Sequence, residues 1–347
     1  MVEVEVVGGF GMTDLFITDF GVSLGKKSER LVVKEKGQVV AEVPFRDLTQ
    51  ITIASAGVSI SADVIRECVE FGVQINFLTP TGKPYARLTA PNLTGTVITR
   101  REQILAYRDG RGLALARCFV EGKLKNQANL LKYFSKYRRN SDPVLFEALQ
   151  AVCRRLEDAL RELEEIKGEN VDEARPQIFS VEGRAAQQYW EAVGLLLQGH
   201  AEFAGREHRE AADPVNSALN YGYGILYGQV WGAVMLAGLE PFAGFLHTDR
   251  PGKPSLVLDL TEEFRAAVVD RAIVSFFTRG GTLTMEEGKL SAEGRREVAR
   301  RVLERLDGDE SYEGKKHRVR TVIQMQSRRL ASFLRGEGKY RPFVAAW

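Results

Sequence analysis

The sequence predicts an α+β protein of two domains: a small N-terminal β-rich domain, β-sandwich-like in pattern, and a larger all-α C-terminal domain. Two observations predict this class. Residues 12 to about 90 contain short, β-branched runs in which apolar and polar residues alternate, as they do in half-buried strands. From about residue 100 onward, apolar residues recur at helical spacing and no strand pattern of similar length returns. With 347 residues, the chain is long enough for two such domains.

Turn residues separate the strand-like runs of the N-terminal part. Lys36-Gly37 lies between LVVKE and QVVAEV, which predicts the turn of a short hairpin. One helix interrupts the strands, since Ser61 can cap a segment whose apolar residues follow the 3.6 period up to Gly72. The pattern therefore predicts a β-rich domain that contains one helix.

The boundary between the domains is predicted from a turn signal. The segment 80–91 contains Gly82-Lys83-Pro84, which is typical of a turn or a linker. We therefore assign residues 1–90 to the β-rich domain, 91–100 to a linker and 101–347 to the helical domain.

The helical domain opens with an amphipathic segment that Gly110 and Gly112 are expected to break. Helix N-caps are predicted at Ser141, at Ser180 and at Asp213, which precedes a proline. Further helices are expected at 180–204, 213–238, 261–279, 291–306 and 315–335.

Composition excludes several classes of protein. A hydrophobic fraction of 44% with 27% charged residues is typical of a globular protein and excludes wholesale disorder. No apolar run approaches the roughly 20 residues of a membrane span, and the acidic N-terminus does not resemble a signal peptide. The cysteines Cys68, Cys118 and Cys153 are odd in number and widely spaced, which argues against a disulfide framework or a zinc finger. We therefore expect a cytoplasmic protein with no membrane partner.

Basic residues are concentrated although the net charge is only +2. Residues 111–139 contain eight Lys or Arg against one acid, and residues 315–341 contain nine against one. Such stretches attract polyanions, although helical basic faces are also often just solvated. As candidates for contact with nucleic-acid phosphates we select Arg138, Arg139, Arg328 and Arg329.

A histidine and several acids lie close together in GFLHTDRPGKPSLVLDLTEEFR, residues 244–265. Asp259 and Glu262 are three residues apart, so a helical turn would place both carboxylates on one side. A Gly/Pro-rich loop can fold His247 back towards them, and such a set suits Mg²⁺ or Mn²⁺. Alternatively, Asp259, Glu262 and Glu263 complement the N-terminal dipole of the helix that follows.

Two further segments contain candidate residues. In FSVEGRAAQQYW, Glu182 precedes very small residues that permit close approach, and Arg184 follows it. In ADPVNSALNYGYG, Asn216 and Asn220 lie four apart on one helix face and can donate to phosphate oxygens. The alternatives are a first-turn position for Glu182 and a buried, glycine-rich helix for the second segment.

Taken in order, VEGRAA, DPVNSALNYGYGILYG and GFLHTDRPGKPSLVLDLTEEFR resemble the spacer-acquisition integrase family of CRISPR immunity. The resemblance runs from about Leu15 to Phe343 and leaves residues 1–11 outside, as an extra strand or a start-site difference. It implies a β-rich domain followed by a helical domain with one Mg²⁺ or Mn²⁺ site. By motif, the metal ligands would be Glu182, His247 and Glu262, with Asp259 as a further catalytic acid near the metal.

The resemblance also implies a reaction and partners. The enzyme would be a metal-dependent DNA endonuclease and integrase that inserts short foreign fragments into a repeat array by transesterification. It would act on double-stranded and branched DNA, as a homodimer formed through the N-terminal domains. A small second CRISPR adaptation protein would join two dimers in a heterohexamer-like complex. The alternatives are an unrelated divalent-metal phosphohydrolase and a non-catalytic DNA-binding scaffold.

Overall fold

The computed structural model describes residues 5–7, 13–79, 81–88, 97–207 and 211–346. Its contacts divide the chain into two compact units. Unit one contains Met1–Asn92 together with Glu210–Gly228 and Leu283–Glu304, and unit two contains the remainder. Each domain was expected to be one continuous stretch of the chain, whereas unit one also contains two later segments. The boundaries 1–90, 91–100 and 101–347 stay a prediction.

The N-terminal part of unit one consists of strands and one helix. The strands are Glu5–Val7 (β1), Thr13–Ile17 (β2), Val22–Lys27 (β3), Arg30–Glu35 (β4), Gln38–Pro44 (β5), Leu48–Ile53 (β6), Ser59–Ile60 (β7), Gln74–Leu78 (β8) and Pro84–Leu88 (β9), and the helix is Ala62–Glu70 (α1). They form a five-stranded sheet in the order β1-β2-β6-β8-β9 and a four-stranded sheet in the order β5-β4-β3-β7. β2, β6 and β8 run parallel to one another. Parallel neighbours need a crossover connection, and α1 lies in the connection from β6 to β8. The predicted β-rich domain is confirmed.

One hydrophobic core joins the two sheets and α1. Leu15 and Ile51 of the first sheet, Leu31 and Val33 of the second, and Val64 of α1 are all fully buried in it. Two local predictions are confirmed beside this core. Lys36 and Gly37 adopt φ of 47° and 82°, the left-handed pair that a two-residue hairpin between β4 and β5 requires. Ser61 caps α1 by accepting a hydrogen bond from the backbone N–H of Val64 at 3.3 Å.

The rest of the described chain is mainly helical, as predicted. Its helices are Val97–Ala106 (α2), Gly110–Ser135 (α3), Arg138–Ser141 (α4), Pro143–Glu165 (α5), Val171–Leu197 (α6), Pro214–Leu236 (α7), Ser255–Glu262 (α8), Arg271–Thr278 (α9), Ala292–Asp307 (α10) and Val319–Leu334 (α11). Two short hairpins interrupt them, Met285–Glu286 (β10) with Lys289–Leu290 (β11), and Asp309–Tyr312 (β12) with Lys315–Arg318 (β13). Within the described residues, no helix combines the length and the apolar character needed to cross a bilayer.

Four helix starts differ from the prediction. In place of the helix expected at 261–279, α8 begins at Ser255, and after a turn the chain is helical again from Arg265. Asp142 rather than Ser141 caps α5, and its carboxylate accepts from the N–H of Leu145 at 3.1 Å. The reason is that the residue before a proline is excluded from helical geometry and Pro143 is the first helical residue.

Ser180 lies inside α6, which begins after Asn170. The Asn170 side chain accepts from the N–H groups of Asp172 and Glu173, and the helix then tolerates Pro176 in its second turn. The helix expected at 315–335 begins at Val319, because Lys315–Arg318 pair with β12 in a hairpin that the sequence analysis missed.

The C-terminal segment is tied into the core of unit two. Phe343 is buried and stacks on Phe264 with ring centroids 4.9 Å apart. The Asn126 amide on α3 donates to the carbonyl oxygens of Phe343 and Glu263 at 2.8 Å, and its oxygen accepts from the N–H of Ala345 at 2.8 Å. The segment therefore joins α3 to the turn that follows α8.

We expect Phe343→Ala to lower the free energy of unfolding by about 3–5 kcal/mol, because it removes a fully buried ring and leaves a cavity. Tyr137→Ala is the matched control, since Tyr137 is 82% exposed; its effect should stay within about 0.5 kcal/mol. Urea denaturation followed by circular dichroism measures both. An effect of Phe343→Ala as small as that of the control would contradict this role of the C-terminal segment.

Candidate active site

Two of the predicted acids of unit two meet at one ammonium group. Lys123 of α3 donates a hydrogen bond to Oε1 of Glu182 on α6, and its Nζ lies 2.9 Å from Oε2 of Glu262 on α8. The three side chains are largely buried, with exposures of 14%, 18% and 5%. Residues that are far apart in the sequence thus form a compact Glu–Lys–Glu cluster, which here means Glu182, Lys123 and Glu262.

A glycine allows α3 to approach α8 closely enough for this contact. A Cβ added at Gly122 would lie 2.9 Å from Cγ of Glu263 and 2.8 Å from Cβ of Pro342. Real side chains do not approach so closely, so a larger residue at 122 would push the helix away. The next residue, Lys123, can therefore reach the Glu262 carboxylate.

Glu262 is held ionised inside the protein. Burial alone would raise its pKa, but the charges of Arg265, Lys123 and His247 outweigh burial and lower the pKa to about 2. Arg265 contributes directly, since its Nε lies 3.0 Å from Oε1 of Glu262. Burial also acts to lower the pKa of Lys123, but Glu262 and Glu182 raise it above its ordinary value. Lys123 and Glu262 are therefore both charged at neutral pH.

His247 is oriented by Asp259 of α8. The Asp259 carboxylate is fully buried and lies 2.7 Å from Nδ1 of the His247 ring. It also accepts hydrogen bonds from the backbone N–H groups of Phe245, Leu246 and His247 at 2.6–3.0 Å. A ring nitrogen that donates to a carboxylate leaves Nε2 as the nitrogen that can bind a ligand, as in many carboxylate–histidine–metal arrangements. Gly244 makes this possible, since its Cβ would lie 2.8 Å from Asp259 Oδ2.

The catalytic role of Asp259 stays a prediction, and its contacts indicate a supporting role. Both of its oxygens are engaged by the 245–247 backbone and the His247 ring, so it acts as a positioning residue. The helix-dipole alternative is not supported for Asp259, which lies inside α8 and accepts from the 245–247 backbone, whereas Glu262 and Glu263 do lie just before the next helical segment, which starts at Arg265.

Glu263 does not belong to the cluster. Its carboxylate accepts from Tyr340 at 2.5 Å, and from Gln326 and the N–H of Phe343 at 2.8 Å. Burial raises the pKa of Glu263 to about 7, against the lowering effect of these hydrogen bonds. Glu263 therefore holds the C-terminal segment in place.

The donor set fits a divalent cation, and Lys123 stands between its two carboxylates. Oxygen donors with one imidazole suit Mg²⁺ or Mn²⁺. Oε2 of Glu262 is buried and, among the described residues, is held by charge without a directed hydrogen bond. As placed, no three His, Cys, Asp or Glu side chains of the described part of the chain are close enough together to hold a metal. The assignment of Glu182, His247 and Glu262 as joint ligands therefore stays a prediction.

The predicted DNA contacts in the Glu182 and Asn216 segments are engaged within the protein. Arg184 donates to both carboxylate oxygens of Glu162 at 2.6 Å. Asn216 is buried and its amide donates to Asp213 at 2.8 Å, so the prediction that it contacts phosphate is not supported. Asp213 caps the helix as predicted, since its carboxylate accepts a hydrogen bond from the backbone N–H of Asn216 at 2.8 Å. Asn220 is half-buried on the same helix, α7.

The four selected arginines are placed differently from one another. Arg139 and Arg328 are exposed, as a phosphate contact requires. Arg138 donates to the carbonyl oxygen of Phe134. Arg329 pairs with Glu313, and its guanidinium lies 5.2 Å from the ring centre of Tyr312. Its charge is therefore already balanced within the protein.

Lys123 is the site residue that the sequence analysis missed, because it was counted with the basic stretch 111–139. The sequence does contain a pattern that points to Lys123. Val120 and Gln127 are three residues before and four after it, and both are buried on α3. At helical spacing, Lys123 shares their face, and a lysine on a buried face needs a charged partner.

Comparison with known proteins gives one consistent result. A family model described as CRISPR associated protein Cas1 matches residues 15–304. The CRISPR-associated endonuclease Cas1 1 of Archaeoglobus fulgidus is 38% identical over 345 residues, covering 96% of this chain and 99% of that protein.

Two solved structures share the fold. A casposase bound to its integration product matches with a TM-score of 0.80 at 24% identity, covering 95% of this chain and 93% of that chain. A Cas6-RT-Cas1–Cas2 complex matches with a TM-score of 0.78 at 18% identity, covering 97% of this chain and 36% of that one. At these identities the likeness establishes a common fold.

We expect Asp259→Asn to weaken Mn²⁺ binding by about 10–100-fold, because the amide cannot orient the His247 ring as the carboxylate does. Isothermal titration calorimetry measures the affinity, and the melting temperature in EDTA shows whether the variant is folded. Asp249→Asn, at an exposed acid of the neighbouring loop, is the control and should bind as the wild type does. Equal affinities for both variants would show that Asp259 does not position a ligand.

Proposed function

The chain belongs to the family of CRISPR-associated Cas1 proteins, and from this membership we propose how it works as a nuclease and integrase of CRISPR adaptation. The active site we propose is formed by Glu182, His247 and Glu262 around one Mg²⁺ or Mn²⁺. The observation that carries this proposal is the meeting of two carboxylates from different helices at one cationic group. Asp259 supports it by presenting the His247 ring.

The reaction is a displacement at phosphorus. In integration, the 3′-hydroxyl oxygen of a DNA fragment forms a bond to a phosphorus atom of the repeat, and the bond from that phosphorus to a 3′-oxygen of the repeat breaks. The proton of the attacking hydroxyl is transferred, directly or through water, to the leaving 3′-oxygen. With water in place of the 3′-hydroxyl, the same displacement is endonucleolytic cleavage.

The residues of the site have separate tasks. A bound divalent ion supplies charge that stabilises the phosphoryl oxygens as the bond changes occur. Glu182 and Glu262 would hold the ion from two helices, and Lys123 and Arg265 set the positions of these acids in the metal-free protein. His247 would contribute its Nε2, since its Nδ1 is engaged by the Asp259 carboxylate.

Two other functions fit the site less well. A scaffold whose acids only cap helices is disfavoured, since Glu182 lies within α6 and Asp259 lies within α8. An unrelated phosphohydrolase is disfavoured by the match to the Cas1 family over residues 15–304.

DNA and a second adaptation protein are the partners we propose. The exposed Arg139 and Arg328 support contact with double-stranded or branched DNA. A Cas2 partner is supported by the neighbour that is a Cas6-RT-Cas1–Cas2 complex. We place the reaction in the cytoplasm, and a complex of two dimers bridged by the partner would bring one active site to each end of a fragment.

A homodimer formed through unit one is supported by an exposed strand. β5 is an edge of the four-stranded sheet, and its Val39 and Val40 are exposed. An apolar edge strand pairs readily with a copy of itself across a two-fold axis.

We expect His247→Ala to abolish both cleavage and integration of DNA while changing the melting temperature little, because the imidazole is partly exposed and adds little to the core. Assays with a branched DNA substrate and Mn²⁺ measure both activities. His200→Ala, at an exposed histidine after α6, is the matched control and should retain them. Activity of His247→Ala near that of the control would rule out the proposed active site.

For the dimer, light scattering at micromolar concentration should give a mass near twice the 38.7 kDa of one chain. Val39→Glu should shift the mass towards one chain, because it places like charges on the two paired edges. Val144→Glu, at an exposed position of α5, should not. A wild-type mass near that of a single chain would contradict the dimer.

A further inference from the structure

On the basis of the proposed active site, we propose that Lys123 is an internal counter-ion, a cationic side chain that occupies the metal position in the metal-free protein and is displaced when a divalent ion binds. The inference goes beyond the proposed function, which requires only that the acids and His247 bind a metal. It concerns what holds the acids together before the metal arrives.

Lys123 lies where a metal ion held by both acids would lie. Lys123 reaches the cluster from α3, whereas its partners belong to α6 and α8. Its Nζ contacts Oε1 of Glu182 and Oε2 of Glu262 together. A divalent ion held by both carboxylates would need oxygens of the same two groups. The ammonium and the metal ion therefore compete for the same ligands.

The charge balance of the cluster favours the displacement of Lys123 by a divalent ion. In the metal-free cluster, Glu182 and Glu262 carry two negative charges, which Lys123 and Arg265 balance with two positive charges. An added divalent ion would bring two more positive charges into a largely buried place, where charges repel strongly. Moving Lys123 out removes one of them and frees the carboxylate oxygens. The positive charge that remains suits a DNA phosphate.

Lys123, rather than Arg265, is the group that moves. Arg265 lies one helical turn after Glu262 and pairs with that residue at Oε1, so it is held by the same stretch of chain. Lys123 is contributed by a separate helix and bridges both acids. A lysine is a compact charge on a flexible four-carbon chain, and it can withdraw without movement of the backbone.

Displacement of Lys123 lowers the affinity of the protein for the metal ion. Because the wild-type protein must break two ion pairs before the ion enters, its affinity for metal is lower than that of the bare ligand set. In return, the two carboxylates do not repel each other when metal is absent. Lys123 thereby stabilises the metal-free protein and sets the concentration at which the metal binds.

The test compares Mn²⁺ binding and stability in Lys123→Met and in the wild type. Methionine keeps the length and apolar stem of lysine but has no charge. Lys125→Met is the matched control, since Lys125 is two residues further on α3 and forms an i,i+4 pair with Glu121. Isothermal titration calorimetry gives the Mn²⁺ affinity of EDTA-treated, desalted protein, and scanning calorimetry gives the melting temperature in EDTA.

We expect Lys123→Met to melt at a lower temperature in EDTA and to bind Mn²⁺ about tenfold more tightly than the wild type, which corresponds to about 1.4 kcal/mol. The control should match the wild type in both. In the double variant Lys123→Met/Glu182→Gln, the melting temperature in EDTA should recover, since the repulsion is gone, while the Mn²⁺ affinity should fall below that of Lys123→Met.

The outcomes separate this proposal from the proposed function. If Lys123→Met binds Mn²⁺ no more tightly than the wild type does, the ammonium is not displaced and the counter-ion proposal is wrong, although the metal site stands. If neither protein binds Mn²⁺, the metal site itself is wrong, and the counter-ion proposal falls with it. If Lys123→Met is unfolded in EDTA, refolding on addition of Mn²⁺ supports displacement, and failure to refold contradicts it.

Discussion

The constraint on which this site depends is the cost of holding two carboxylates together away from water. An ionised acid is expensive to bury unless an opposite charge accompanies it, and two acids side by side also repel each other. Here the acids come from α6 and α8, and α3 supplies the ammonium between them. The arrangement of these three helices is therefore inseparable from the charge balance of the site.

Other features of unit two maintain that arrangement. Gly122 lets α3 lie against the turn after α8, and Asn126 fastens the same turn to the C-terminal segment through hydrogen bonds of 2.8 Å. Glu263 binds that segment from the residue next to Glu262. The position of one site acid is thus maintained by a continuous set of buried contacts that extends to Ala345.

The position of His247 depends on a different set of hydrogen bonds. The segment before α8 has no helix or strand to direct it, so its backbone N–H groups need another partner. Asp259 provides one carboxylate for three consecutive N–H groups and for the His247 ring. Because one side chain shapes the loop and orients the imidazole, the loop conformation and the presentation of Nε2 are coupled.

Local signals predicted the secondary structure where a few neighbouring residues determine it. The Lys36-Gly37 turn, the Ser61 cap and the break before Gly110 all follow from backbone preferences within a few residues. Two of the misplaced helix starts have the same origin, because Asp142 at α5 and Asn170 at α6 cap the helix in place of the expected serine. The missed hairpin at Asp309–Arg318 is short and depends on left-handed residues at its turn, Glu313 and Gly314.

The sequence by itself determined the two-part fold class, the family resemblance and the acids and histidine that the site is built from, because periodicity and ordered motifs are properties of the chain. Only the tertiary structure decided how these groups interact. It placed Lys123 between acids that lie 59 and 139 residues away, and it turned Asp259 from a candidate catalytic acid into the support of His247. The reason is physical: a charge in a protein interior acts on whatever lies within a few ångströms, and helix packing, which no local pattern specifies, selects those neighbours.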